Sequence, residues 1–436
     1  MSTPWVYISS VGQYSGQTVC IKGWLYIKRS SGKIHFLQLR DGTGSIQGVM
    51  AKNDVDEATF SAADRITQES SLIVTGIVRE DKRAPSGYEL AVISLEQLHN
   101  ATDYPITPKE HGTAFLMKNR HLWLRSSKQR ALHRIRNMAE KAVVDFFFDN
   151  NFIRTDTPIL TATAAEGSST LFATQYYDLG TAYLAQTGQL YLEAAIFSHG
   201  LVYNFGPTFR AEKSKTRRHL SEFWMVEAEE AYYDNDDNIA LQERFVQYII
   251  GRCLEDCRED LKVLERDTAK LEQVVNAPFA RTTYDDALKI LQGMGNPIQM
   301  GDDIGGDEET SISQHFGKPV FVMNYPKKIK AFYMKEDPQN PERVKCADLI
   351  ASEGYGEIIG GSQREDDYDK LLERMEQFNI PMEPYRWYVD LRKYGSVPHS
   401  GFGLGIERTV SWIAGISHVR EAILFPRMLY RIIPNS

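Results

Sequence analysis

Over the first hundred residues apolar positions recur with a period near two in five runs, TVCIKGWLYIKR, IHFLQLR, SIQGVMA, SLIVTGIVRE and GYELAVISLEQL, with the turn formers SSGK and DGTG between the first three. Alternation of this kind marks half-buried strands, and five of them in so short a segment predict a small closed barrel of the oligonucleotide-binding type. The pattern then lapses: Pro105 and Pro108 in DYPITPKEHG break regular structure and read as a linker. From residue 127 to 150 the period lengthens to that of a helix, with Leu132, Ile135, Met138, Ala142, Val143, Phe146 and Phe147 on one broad face. Strand-like pieces follow at FIRTDTPIL, AYLAQTGQLYLEAA, VYNFGPTFRAE and EFWMVEAEEAYY. A helical stretch, DNIALQERFVQYIIGRCLEDCREDLKVL, separates them from PVFVMNYP, IKAFYMKE and YGEIIGGSQR, which also read as strands. Strands grouped around inserted helices, without strict alternation, predict an α+β fold with an antiparallel sheet flanked by helices. The expected organisation is a barrel over residues 1–100, a linker over 101–125 and a larger domain over 126–436.

Composition changes this picture little. The 436 residues are 42% hydrophobic and 25% charged, ordinary globular usage, and no apolar run approaches the length of a membrane span. The opening MSTPWVYISS lacks the plan of a signal peptide, so a cytoplasmic location is expected. Four scattered cysteines, Cys20, Cys253, Cys257 and Cys346, without nearby histidine partners, read as reduced thiols. The net charge of −8 means that nucleic acid must be met by local patches. One such patch runs from Lys22 to Arg40, with five basic residues, no acid, and interleaved Trp24, Tyr26 and Phe36. Rings that stack on splayed bases beside cations that track a backbone suit single-stranded nucleic acid. Trp24 is expected in the barrel core, whereas Phe36 and Gln47 are the better ligand candidates.

The densest chemistry lies in FRAEKSKTRRHLSEFWMVEAE. Arg210, Lys213, Lys215, Arg217 and Arg218 place five cations in ten residues against one acid, Glu212, on the loop of an expected hairpin. Converging guanidinium forks suit a polyphosphate. No Walker loop or Rossmann fingerprint is present, so a nucleotide must be held another way.

With the barrel, the segment FFFDNNFIRTDTPIL, this hairpin and the terminal run GFGLGIERTVSWI in that order, the chain resembles the class II aminoacyl-tRNA synthetases, in particular their aspartyl, asparaginyl and lysyl group. The resemblance implies activation of an amino acid by ATP to an adenylate, then transfer to the terminal adenosine of a tRNA. Carried over position by position, Arg210 would bridge the α-phosphate and the substrate carboxylate. Glu212 would accept from the adenine amino group, and Phe223 would stack on the base. Arg218, His219 and Leu220 belong to the loop over the nucleotide, and Arg408 would stack on the other face of adenine and reach the outer phosphates. Arg210, Glu357 and Arg408 are thus the expected catalytic residues. Glu357, with Asp348, would hold Mg2+, hard carboxylate oxygens suiting that ion. Pro158 and the helix before it match the family's dimer-forming motif, so a homodimer is implied.

The amino acid itself is read from the same resemblance. Gln189 in QTGQLYLEA matches the residue that holds the substrate ammonium, and Glu166 sits in the loop that closes over it. Aspartyl relatives carry a lysine where this chain has Leu192. Arg364 can donate to one side-chain oxygen and Glu227 can accept from an amide nitrogen, so one donor and one acceptor read a carboxamide. L-Asparagine is the expected amino acid and tRNA(Asn) the expected acceptor, with an aspartyl enzyme or an asparagine synthetase on the same fold as the alternatives. Arg29, Phe36 and Gln47 map to anticodon contacts. One departure is GDDIGGDEET, where relatives more often carry proline, histidine and glutamate. Asp307 and Glu308 differ from that pattern, and only Glu309 matches it.

Overall fold

The computed structural model describes residues 3–84, 86–163 and 171–433, and the chain divides into two compact units at Gly112 and Thr113. The first is a closed five-stranded barrel of β1 (Thr18–Ser31), β2 (Ile34–Arg40), β3 (Ser45–Ala51), β4 (Ser71–Glu80) and β5 (Tyr88–His99), in the order β1-β2-β3-β5-β4. All five runs read from the sequence are present. A helix that the alternation did not signal, α1 (Glu57–Arg65), enters between β3 and β4, capped by Asp56, whose side chain accepts from the Thr59 amide at 2.8 Å. Along β2 the alternation is strict: His35, Leu37 and Leu39 are buried, and Ile34, Phe36 and Gln38 face outward. Trp24, expected inside, is instead 40% exposed, and the Arg40 guanidinium lies 5.0 Å from its ring. Leu25 takes the interior position next to it, and a register irregularity between Leu25 and Ile27 resets the alternation.

The second unit is built on an eight-stranded sheet. Its strands are β6 (Ile153–Arg154), β7 (Leu201–Phe209), β8 (Glu222–Ala231), β9 (Ala280–Thr283), β10 (Val320–Met323), β11 (Cys346–Ala351), β12 (Gly356–Gln363) and β13 (His399–Gly405), ordered β9-β10-β11-β12-β13-β8-β7-β6. The sheet is antiparallel except at its two edges, where β6 runs parallel to β7 and β9 parallel to β10. One face is covered by α2 (Ser127–Asp149) and α4 (Asn235–Asp256). Their apolar stripes meet Val226, Ala228, Phe402 and Leu404 in the main core. Ser126 caps α2, and a capping box of Asp234 and Asp237 starts α4, which is why both helices begin where they do.

Two strand expectations fail. In AYLAQTGQLYLEAA only Thr181–Leu184 is a strand, and the rest forms α3 (Gln189–His199). That helix buries Leu190, Leu192, Glu193 and Ile196 on several sides, so no single apolar stripe announces it. IKAFYMKE is not in the sheet; Phe332 and Tyr333 are buried against α6 (Tyr368–Gln377) and α7 (Met382–Asp390). Its apolar residues are there for a side cluster and not for a strand face.

One buried core carboxyl lacks a hydrogen-bond partner among the described residues. Glu230 follows Val226 and Ala228 along the helix-packed face of β8, is fully buried, and neither carboxyl oxygen finds a hydrogen-bond partner among the described residues. Burial pushes its pKa well above the usual value, neighbouring Glu229 adds to this, and Arg364 opposes it. Below the unfolded-state value the group is neutral in both states. As pH climbs past that value only the unfolded chain ionises, so stability falls by up to about 1.4 kcal/mol per pH unit until the folded value is reached. Glu230→Gln is therefore expected to raise the melting temperature at pH 7 to 8, with the gain shrinking toward pH 4. A gain independent of pH would contradict the assignment.

Candidate active site

On the sheet face opposite the main core, register brings together residues far apart in the chain. Asn204 on β7 pairs with Glu227 on β8, Glu227 with Gly403 on β13, Gly403 with Gly360 on β12, and Gly360 with Asp348 on β11. The two central glycines leave a floor without side chains between an acid and amide at one end and an acid at the other. A side chain at Gly360 would meet the Glu357 carboxylate at 3.1 Å and Asp348 at 3.8 Å, so these two carboxylates converge on it.

At the first end, Glu227 is buried and accepts from the Gly188 amide at 2.8 Å, from Asn204 Nδ2 at 3.4 Å and from the Thr187 hydroxyl. Burial raises its pKa, and these donors together with Arg210 pull the other way. Gln189, the first residue of α3, donates from Nε2 to Glu193 Oε1 at 3.0 Å. Arg364 is buried with its fork on Glu229: Nη2 lies 2.5 Å and Nε 3.2 Å from the two carboxylate oxygens, and Nη1 donates to Ser362 at 2.7 Å. Burial alone would lower the Arg364 pKa, but Glu229 outweighs it and holds the guanidinium charged. Leu192 does not face this floor; it packs with Ile196, Val202 and Ala231. Glu166 lies outside the described residues.

At the other end, burial, Asp348 and Glu309 together push the Glu357 carboxyl up to about 8. Asp348 is paired with Lys330 Nζ at 2.5 Å. The Glu357 carbonyl accepts from Arg408 Nη1 at 2.6 Å, and its amide donates to Glu309 at 3.2 Å. Arg408 stands in the first turn of α8 (Ile406–Ala414), and its Nε donates to the Arg218 carbonyl at 3.3 Å. Arg218 is docked on α5 (Gly306–Phe316), donating to Glu309 at 2.9 Å and to Thr310 at 2.6 Å. The acidic segment that departs from the family pattern thus reaches this site through Glu309. A pocket lined by Arg217, Arg218, Gly354, Tyr355, Arg408 and His418 adjoins it. On the hairpin loop His219 accepts or donates to Thr216 and lies 3.9 Å from Glu212; burial and Arg408 lower its pKa. Leu220 is buried, and Phe223 lies half-buried where β8 begins, paired with Thr208. Arg210 closes the hairpin, its amide bonded to the Ser221 carbonyl at 2.9 Å.

Among the described residues no group of three histidines, cysteines, aspartates or glutamates is arranged to hold a metal ion. Nor is any helix long and apolar enough to cross a membrane. In the barrel, Arg29 and Phe36 are cross-strand partners, and Gln47 pairs with Gln38 on the same outer surface. Phe36 is half-buried and Arg29 exposed.

Residues 112–429 match the family model described as tRNA synthetases class II (D, K and N), and residues 19–98 that of the OB-fold nucleic acid binding domain. The chain belongs to the class II tRNA synthetases of this D, K and N group. Within it, the chain is 55% identical to the asparagine–tRNA ligases of Herpetosiphon aurantiacus and Chloroflexus aurantiacus, over 99% of this chain and of each of them. It also superposes on the asparaginyl-tRNA synthetase from Pyrococcus horikoshii complexed with asparaginyl-adenylate, at a TM-score of 0.95 and 46% identity over 98% of this chain and 99% of that one. The Entamoeba histolytica asparaginyl-tRNA synthetase in complex with asparaginyl-adenylate gives 0.90 at 31% identity over 99% of both.

The sequence reading missed Glu193, Glu229, Asn204, Thr187 and Lys330; Glu193 lies four residues from Gln189 on one helix, whereas Glu229, Asn204 and Lys330 meet site residues only across separate elements. Because Thr187 supplies a hydroxyl to a buried carboxylate, Thr187→Val should destabilise the protein by about 1 to 3 kcal/mol in denaturant unfolding. A loss below a few tenths would mean that Glu227 draws nothing from that hydroxyl.

Proposed function

We propose that this chain joins L-asparagine to tRNA(Asn) at the expense of ATP, through asparaginyl-adenylate. The observation that carries asparagine over aspartate is Glu227, a buried carboxylate held on the site floor by neutral donors, in a chain whose Leu192 is packed in the core where aspartyl relatives place a lysine. An ionised partner accepts from a carboxamide nitrogen and repels a carboxylate, and such repulsion in a desolvated pocket costs several kcal/mol. Arg364, charged and buried, supplies the donor for the amide oxygen.

In the first step an oxygen of the asparagine carboxylate attacks the α-phosphorus, the bond to the β-phosphate breaks, and pyrophosphate leaves. Arg210 offsets the charge that gathers on the α-phosphoryl group. Phe223 and Arg408 hold the adenine between them, with Glu212 on its amino group, and Arg218 and His219 meet the outer phosphates, which requires Arg218 to exchange part of its contact with Glu309 for phosphate. In the second step a ribose hydroxyl of the terminal adenosine attacks the acyl carbon and AMP leaves. Asp348 and Glu357 fit a Mg2+ ion bound with ATP. The two carboxylates converge and disfavour one another's charge, so Asp348 and Glu357 are the residues that would hold such an ion. Bound there, it would offset negative charge on the phosphates.

Two further readings belong here. Val144, Phe148 and Ile153 leave apolar surface exposed on α2 and edge strand β6, beside Pro158, and this supports a homodimer closed across that edge. A cytoplasmic location follows from the function and not from any feature of the fold.

Asparagine should drive exchange of labelled pyrophosphate into ATP at least about 100-fold better than aspartate, a discrimination of about 2.7 kcal/mol. Glu227→Gln should shrink that ratio, and an unchanged ratio would remove Glu227 from the specificity role. In the barrel, Phe36 beside Arg29 and Gln47 forms the anticodon surface. Phe36→Ala should cost about 1 to 3 kcal/mol in tRNA charging and leave amino-acid-dependent exchange nearly untouched. If both reactions fall in step, the anticodon assignment is wrong.

A further inference from the structure

Glu193, on the second turn of α3, lies outside the set of residues assigned to substrates, yet more side chains converge on it than on any of them. It is fully buried and accepts from Gln189 at 3.0 Å, from the Tyr388 hydroxyl at 2.8 and 2.9 Å, from Arg392 at 2.6 Å and from His399 at 3.1 Å. Burial alone would raise its pKa, but Arg392 and His399 outweigh that and hold it below the usual carboxylate range. An ionised carboxylate only accepts hydrogen bonds. The Gln189 atom that touches it is therefore the side-chain amide nitrogen.

We propose that Glu193 is the positioning residue for the substrate ammonium, because by holding the Gln189 Nε2 it turns the Gln189 carbonyl oxygen toward the asparagine site. This rests on the reading of Gln189 as the ammonium acceptor. Gln189 is the first residue of α3, its backbone N–H donates to Thr187 Oγ1 at 3.0 Å, and its side-chain Oε1 accepts from no group among the described residues. An unanchored glutamine amide presents nitrogen or oxygen almost equally; a donor group toward an ammonium would repel it. Tyr388 and Arg392 from α7 and the segment after it, and His399 at the start of β13, fix the anchor itself from three directions, so the oxygen is presented before the substrate arrives.

The test compares asparagine with 3-carbamoylpropanoate, which keeps the carboxylate and carboxamide and lacks the ammonium. Glu193→Asp keeps the charge that Arg392 requires but withdraws the carboxylate from Gln189, and Glu193→Gln keeps the length but can donate to Gln189 and turn its amide. Each folded variant should raise KM for asparagine at least about tenfold in pyrophosphate exchange, with KM for ATP and the inhibition constant of 3-carbamoylpropanoate changing less than about twofold. If asparagine binds either folded variant as before, or both ligands weaken equally, Glu193 is structural and the proposal falls; because a lost ion pair with Arg392 endangers Glu193→Gln, the aspartate variant decides if the other does not fold. Gln189→Ala separates the underlying reading. If it weakens asparagine and the analogue equally, Gln189 does not hold the ammonium, whereas an asparagine-selective loss there with none at Glu193 overturns the positioning role alone.

Discussion

A carboxylate taken out of water must be compensated or it gives up its charge, and the different ways this chain meets that constraint define its second unit. Glu229 is matched by the fork of Arg364, Glu193 by Arg392 with His399, and Glu407 by Arg136 at 2.8 Å. Glu407 also accepts from the Trp224 amide at 3.0 Å, tying α2 and α8 to β8. Each has a cation in contact, although burial still pushes Glu229 up to about 8 and raises Glu407. Glu227 and Glu357 are left open. The first is surrounded by neutral donors and the second by other acids, so each retains a demand that a ligand can meet: a neutral donor at one, positive charge at the other.

The sheet makes this possible because pairing across antiparallel strands collects residues that lie far apart in the sequence, as Glu227 and Gly403 do. Asp348, Gly360, Gly403, Glu227 and Asn204 come from five different strands and form one row. The same alternation sends Val226 and Ala228 to the core on the other face. A single strand such as β8 therefore serves packing and chemistry with alternate residues, and Glu230 shows the cost when a carboxyl lands on the packing side.

What could be read from the chain follows from the range of the interactions involved. The five barrel strands, the long helix α2 and the hairpin of β7 and β8 were legible because periodicity is a local property. From Ile34 to Leu39 β2 alternates regularly and leaves Phe36 half-buried, on the side away from Leu37; Trp24 was misplaced because the irregularity after Leu25 is invisible without the partner strand. α3 was misread as strand since its buried residues surround it. The partners of the site residues were illegible for a deeper reason. Nothing near Arg364 in sequence indicates that Glu229 will take its fork, and nothing near Gln189 indicates Tyr388, Arg392 or His399; only the acid four residues on, Glu193, was within reach of helical spacing. Glu309 was noticed as the one match in a divergent segment, and it is the residue of that segment that bonds Arg218 and the Glu357 amide.

The two buried pairs also bear on how one fold tells a carboxamide from a carboxylate. Two of the Arg364 nitrogens face Glu229, so the positive charge that a carboxylate ligand would seek is largely neutralised before a ligand arrives, although N–H groups remain to donate. Glu227 meets neutral donors in place of a cation, and burial raises its pKa. The site thus offers directional hydrogen bonds in both senses with little net attraction for an anion. A carboxamide, which needs one donor and one acceptor and no counter-charge, loses nothing in such a place. A carboxylate loses its hydration and gains repulsion from Glu227 in return, so the discrimination arises as much from what the arginine has already been given as from what the glutamate rejects.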